Sequence, residues 1–231
     1  VIAASAIERN NTLRQINRRD ETLIRLNRLS QAIIEYGLFN QKSGTLLYPC
    51  PARFDEAISS ANFGDVISGC QTSGTAPPSS PAIDVLSGNN LIRGMVPVKA
   101  LSSYGISSED AFDAWDNRIV YIVNRDLTLN ATSYASANAS NGTLVDLRSN
   151  ATLASPDFIL ISYGRDGVGA IKRGATTAAI SCAASSTLMR EENCDNDTSF
   201  LFGPAYTAAN ATSASNAATG YFDDILTYYR Q

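Results

Sequence analysis

The side chains able to do chemistry in this chain are four cysteines and a scatter of acids; its 231 residues include no His. Without an imidazole, the Ser-His-Asp and Cys-His arrangements are impossible, and bridged thiols could not serve as nucleophiles. Cys50, Cys70, Cys182 and Cys194 fall as two pairs, 20 and 12 residues apart, with no C-x-x-C. A zinc site would need an all-Cys cluster drawn from distant loops. Two local disulfides in an exported protein is the better reading, although four cysteines allow three connectivities.

Adjacent acids occur at Asp55-Glu56, Glu109-Asp110, Glu191-Glu192 and Asp223-Asp224. Successive strand side chains face opposite ways, so neighbours in sequence are not thereby an acid/base pair. No spacing selects a two-carboxylate glycosidase, and the chain reads as no enzyme. The acids on loops suit other chemistry. Asp195, Asn196 and Asp197 form a short run, Asp166 sits in a glycine turn, and Asp223 and Asp224 open a last strand. Hard oxygens on irregular backbone are what Ca²⁺ takes, so Asp166, Asp195, Asp197 and Asp223 are the candidate ligands. The competing reading has each Asp capping its own turn. GRDGVGA (164–170) follows a strand without a clear helix after it and lacks a Walker Lys, so it reads as a tight turn rather than a phosphate cradle. Trp115 and Tyr121 read as core aromatics with polar tips; the alternative is a ligand platform shared with Tyr221, Tyr228 and Tyr229.

The elements that must position these residues begin with a long helix. Residues 1–38 run without Pro, and the first Gly is Gly37. Leu23, Leu26, Ser30 and Ile33 step 3-4-3, with Ile16 one heptad earlier, which marks a packing stripe. Gly37 followed by Leu38 and Phe39 reads as a helix stop. Such a rod is on the order of 50 Å long, more than one small domain can bury. Its apolar start, including Val1, Ile2 and Ile7, and the following Leu13, Ile16 and Leu23 therefore call for a second surface, either other subunits or a bilayer.

Beyond the stem, Pro49 and Pro51 bracket Cys50 and disfavour regular structure there. Residues 71–82 read as a surface loop, and 91–101 as an apolar segment ending in a helical turn. RIVYIVNRD (118–126), DFILISYG (157–164) and FDDILTYYR (222–230) carry strand composition. Two Ala/Ser/Asn/Thr tracts, 128–154 and 205–220, read as surface excursions. Seven N-x-S/T sequons reflect that composition, and would mark glycans only in a eukaryotic secretory route. A helix followed by separated strands is an α+β arrangement, a stem over 1–38 and a head over 39–231.

Bulk charge bounds the partners. The stem holds six Arg against four acids, a balance of +2, and the rest of the chain carries −6 of the net −4. An acidic body argues against nucleic acid. Stem arginines are either a solvated face or contacts for lipid headgroups and acidic neighbours. No apolar run of 18 residues is present, so nothing in the sequence spans a membrane.

Taken in order, the long helix, YPCPA (48–52), GMVPVKAL (94–101), DAWDNRIVYIV (113–123), ISYGRDGVGA (161–170), ENCDNDTSF (192–200) and FDDILTYY (222–229) resemble a known family. It is that of type IV pilin-like proteins, in particular the pseudopilins of bacterial type II secretion. The resemblance lies in Asp113, Trp115, Asn117 and Tyr121 opening a core strand, and in Ser162, Gly164, Asp166, Gly167 and Gly169 forming its S-x-G-x-D-G-x-G turn. The family's leader and full apolar helix are not in the sequence; VIAASAI looks like the end of that helix.

The resemblance implies an α/β roll with the helix packed on an antiparallel sheet. It implies a structural filament subunit, anchored in the inner membrane before assembly and then periplasmic or extracellular, whose partners are copies of itself and related subunits. It also implies Ca²⁺ near the C-terminal loop. The alternative within the same family is a minor pilin or tip adhesin whose Ser/Thr/Asn-rich loops bind glycan or protein. A soluble periplasmic enzyme is the third reading, disfavoured by the missing His.

Overall fold

The computed structural model describes residues 2–67, 84–86, 91–128, 142–147, 149, 151–153, 156–178, 180, 182, 191–195, 198–203 and 223–230, with side chains from residue 10 onward. Among these residues, one α-helix, α1 (Ile2–Phe39), precedes eight strands: β1 (Asp84–Val85), β2 (Leu91–Met95), β3 (Val120–Asn124), β4 (Thr143–Asp146), β5 (Ala151–Leu153), β6 (Phe158–Ser162), β7 (Ser199–Phe202) and β8 (Ile225–Tyr229). The main sheet runs β1-β2-β3-β6-β8 and is antiparallel throughout; a smaller sheet runs β5-β4-β7. This is an α+β chain. The three strands read from composition appear where expected.

α1 spans 38 residues, about 57 Å. Its C-terminal half carries the packing: Leu26, Leu29 and Ile33 are fully buried, and α1 lies against β6 and β8. Ile16 does not continue that stripe, since it and Leu13 stand about half exposed, at 49% and 54%.

Gly37 is not the helix stop; α1 runs through it to Phe39. The physical reason is a close approach, because a Cβ at Gly37 would sit 2.9 Å from the Tyr48 ring. Here glycine makes room for an aromatic and does not end the helix.

β2, β3 and β6 are buried along their whole length, so both faces of the sheet's middle are covered. Tyr121 pairs with Leu160 and Val123 with Phe158, so these four share one face. Tyr48 packs edge-on against Phe158 at 5.2 Å on that face, linking it to α1 through Gly37. Val120, Ile122, Ile159 and Ile161 point the other way.

Segment 91–101 gives a full strand, β2, before its turn, because register with β3 supplies partners from Leu91 to Met95. The tract 128–154 is not wholly loop. β4 and β5 lie in it, and β4 pairs in parallel with β7, burying Leu144 and Phe200. The 71–82 loop, residues 205–220 and six of the seven sequons lie outside the described residues; Asn10 is on exposed helix. Among the described residues, no helix is long and apolar enough to cross a membrane.

Stem and head interlock. Arg25 Nη1 donates to the Phe112 carbonyl (2.7 Å), Arg28 pairs with Asp110 (3.0 Å), and Arg19 donates to the Gly203 carbonyl (3.2 Å). Half of the stem arginines therefore fix the register of α1 on its own head.

Candidate functional site

The site is built around the turn that opens β3. Asp113 is 1% exposed, and its Oδ1 accepts from the backbone N–H groups of Trp115 and Asn117 (both 2.8 Å). Its Oδ2 accepts from Asn117 Nδ2 (3.0 Å) and from the Ser162 hydroxyl (2.6 Å). Asn117 Nδ2 also donates to the Gly164 carbonyl (2.7 Å). Thus the D-x-W-x-N and S-x-G elements are one buried hydrogen-bonded unit.

Burial raises the Asp113 carboxyl above its usual range, opposed by these hydrogen bonds. The same turn docks on α1: the Ala114 N–H donates to the buried Thr22 hydroxyl (3.1 Å), and Trp115 Nε1 donates to Gln15 (3.1 Å). Trp115 is half-buried against the core, and Tyr121 is fully buried with its hydroxyl donating to the Pro49 carbonyl (3.1 Å). Neither forms an exposed ligand platform. Tyr229 stacks on Phe158 at 5.7 Å, Tyr228 is partly exposed against Phe202, and Tyr221 lies outside the described residues.

The glycine turn after β6 leads from this unit to the acids. Gly164 has φ +59°, and a Cβ there would fall 2.5 Å from the Asp223 carbonyl oxygen, so backbone conformation and space both demand glycine. Asp223 Oδ2 accepts from the N–H groups of Arg165 (2.6 Å) and Asp166 (3.1 Å). Asp166 Oδ1 in turn accepts from the Val168 N–H (3.1 Å), the local turn-capping role read from sequence. No phosphate-type helix follows this turn, which ends against the disulfide: a Cβ on Gly169 would meet Cys182 Sγ at 2.7 Å.

Carboxylate oxygens of Asp166, Asp223 and Asp224 lie within 4.8 Å of one another, and the last two residues are buried. Asp224 was not among the four expected ligands. Asp223 and Asp224 precede β8 rather than lying in it, so strand alternation does not separate them.

The 191–195 segment reaches this cluster through Asn193, not Asp195. Asn193 Nδ2 donates to Asp224 Oδ2 (3.0 Å) and to the Leu201 carbonyl (3.0 Å), while its Oδ1 accepts from the Leu201 N–H (2.7 Å). Asp195 is buried elsewhere, its carbonyl accepting from Arg93 Nη1 (2.7 Å), and Asp197 lies outside the described residues. Burial drives the Asp224 carboxyl well above its normal range; Asn193 opposes that shift, and the charges of Asp223 and Asp166 add to it.

Three carboxylates so placed need protons or a cation between them. They match a hard dication in donor type and would supply three of the roughly six to eight oxygens Ca²⁺ takes.

Cys182 and Cys194 are disulfide-bonded with Cα atoms 6.0 Å apart, as the shorter local pairing requires. Cys50 is also disulfide-bonded, and Cys70 lies outside the described residues. By the loop-entropy estimate, closing the 12-residue separation contributes roughly 3 kcal/mol. Set beside known protein families, curated proteins and solved structures, the chain matches none of them.

Proposed function

We propose that the chain is a structural subunit of a bacterial type IV pilus-like or type II secretion pseudopilus filament, assembling through α1, and that its fold is a pilin-like α/β roll. The observation that carries this reading is the position of the exposed apolar residues on α1. Leu13, Ile16 and Ile24 are 54%, 49% and 68% exposed, on the side away from Thr22, Leu26 and Leu29, which are all fully buried in the head. At 100° per residue the two sets centre roughly opposite each other, so one helix offers two packing faces. One is used by its own head; the other is available to equivalent helices. Such a subunit is held in the inner membrane before assembly and ends in a periplasmic or extracellular fibre. The head is then an outward unit, its loop at 164–169 and its carboxylate cluster stabilised by Ca²⁺.

The test is made in an assembly-competent cell. Changing Leu13→Asp and Ile16→Asp together should leave the melting temperature of the purified chain within about 4 °C, since exposed substitutions rarely exceed ~0.5 kcal/mol each. It should abolish the sheared-fibre fraction. Undiminished fibres from the double variant would sink the proposal. Labelling separates the main subunit, found along the fibre, from a tip adhesin, found only at its end.

A further inference from the structure

The sheet face turned away from α1 carries two arginines. Arg93 of β2 pairs in register with Ile122 of β3, and Arg118 precedes Val120 by two residues, which places both on that face. They are 7% and 1% exposed. With Val120 and Tyr163 they line a cavity of about 230 Å³, flanked by the Cys182–Cys194 disulfide.

Arg118 is an unusual occupant of such a wall. Its Nη1 donates to the Phe54 carbonyl and its Nη2 to the Ala175 carbonyl, both at 2.7 Å, and its guanidinium lies 5.4 Å from the Phe63 ring centre. Among the described residues its Nε–H has no acceptor. No carboxylate of the described residues lies within ion-pair distance of it; the nearest charges, Asp55 and Glu56, are paired with Arg53 at 2.7 and 3.5 Å. A buried cation held by two carbonyls, the Met95 sulfur (4.0 Å) and an aromatic ring, all neutral, is costly unless an anion completes it. Guanidinium N–H pairs match carboxylate and phosphate oxygens, and a second guanidinium, Arg93, stands in the same wall.

We infer that this cavity binds a small oxyanion, a carboxylate or a phosphate, with Arg118 as its principal anchor. Its volume lies below the roughly 300–1,000 Å³ of drug-sized pockets, which limits the ligand to a few heavy atoms and excludes a sugar chain. The inference stands apart from filament assembly, since it uses the opposite side of the head.

The probes are sodium malonate and sodium phosphate, each compared with sodium chloride at equal ionic strength, with thermal melting of the full chain as readout. For the native sequence, melting should rise with the logarithm of anion concentration above its dissociation constant, by about 3–6 °C at ten times that constant, and chloride should give no such rise. Ala178, half-buried in the cavity wall, can be enlarged: Ala178→Leu fills part of the space at a residue that makes none of the bonds described for either arginine. The difference between anion and chloride should vanish in that variant whatever its baseline. Arg118→Lys, which keeps charge and loses the Nε–H, should weaken the midpoint at least tenfold; if it does not fold, Ala178→Leu decides. A larger rise in malonate identifies a carboxylate ligand, and a larger rise in phosphate identifies a phosphate. An equal rise in chloride, one linear in anion concentration, or one that survives in Ala178→Leu overturns the inference.

Discussion

Asp113→Ala should unfold a large fraction of the protein at physiological temperature, with a loss of about 3–5 kcal/mol in chemical denaturation. One carboxylate accepts from four donors: two backbone N–H groups, an amide and a hydroxyl. Deleting it leaves all four in a place where Asp113, Asn117 and Ser162 are each no more than 1% exposed. Each stranded donor costs roughly 1–3 kcal/mol, and the sum is less than additive because the turn relaxes.

Asp113→Asn tests the same point with nearly unchanged shape. Its amide nitrogen must confront donors, so one or two bonds are lost and the cost should be about half. Ser162→Ala removes one donor and leaves Asp113 with three, a loss near 1 kcal/mol. An Asp113→Ala variant as stable as the native chain would show that the D-x-W-x-N turn does not organise this core. The consequence reaches α1 as well, because the same turn holds Thr22 and Gln15.

What could be read in the sequence follows from how local each cause is. β3, β6 and β8 are runs of β-branched and aromatic residues, and their composition suffices. β2 contains Arg93 and Gly94, and becomes a strand because β3 lies beside it. β4 and β7 are short and polar in part, and they pair in parallel across more than 50 residues, a register that no local pattern encodes.

Gly37 obeyed a tertiary contact with Tyr48 over its own preference. The candidate cation site was half legible. Asp166 and Asp223 stood out as acids in turns, whereas Asp224 was hidden by the expectation that adjacent side chains diverge, which fails just ahead of a strand. Arg93 and Arg118 gave no signal at all, since each sits inside an otherwise apolar run and only register brings them to one wall.

Asp224→Asn should make the protein more stable in chelator and indifferent to Ca²⁺. Asp224 is buried, with its carboxyl pushed well above the normal range first by loss of solvent and then by the charges of Asp223 and Asp166. A carboxyl raised on folding binds its proton more tightly in the folded than in the unfolded chain. Its contribution is therefore complete below the unfolded value, near 4, and is lost as pH rises toward the folded one. Asp113, also raised by burial, acts in the same direction.

Melting in chelator should thus fall as pH rises above the unfolded value near 4 toward the folded one. Ca²⁺ competes with those protons, so its stabilisation should be small at the acid end and grow toward the alkaline end. Asn at 224 is neutral at every pH, and its amide oxygen can accept from Asn193 Nδ2 in place of the carboxylate, with both bonds of Asn193 to Leu201 intact. It should raise the chelated melting temperature by about 2–4 °C at the alkaline end of the range, the shift expected for ~1 kcal/mol in a chain of this size. Only the slope from Asp113 should remain. A native chain whose melting at pH 8 is the same in Ca²⁺ and in chelator would remove the cation from the cluster and leave protons as its sole neutralisers.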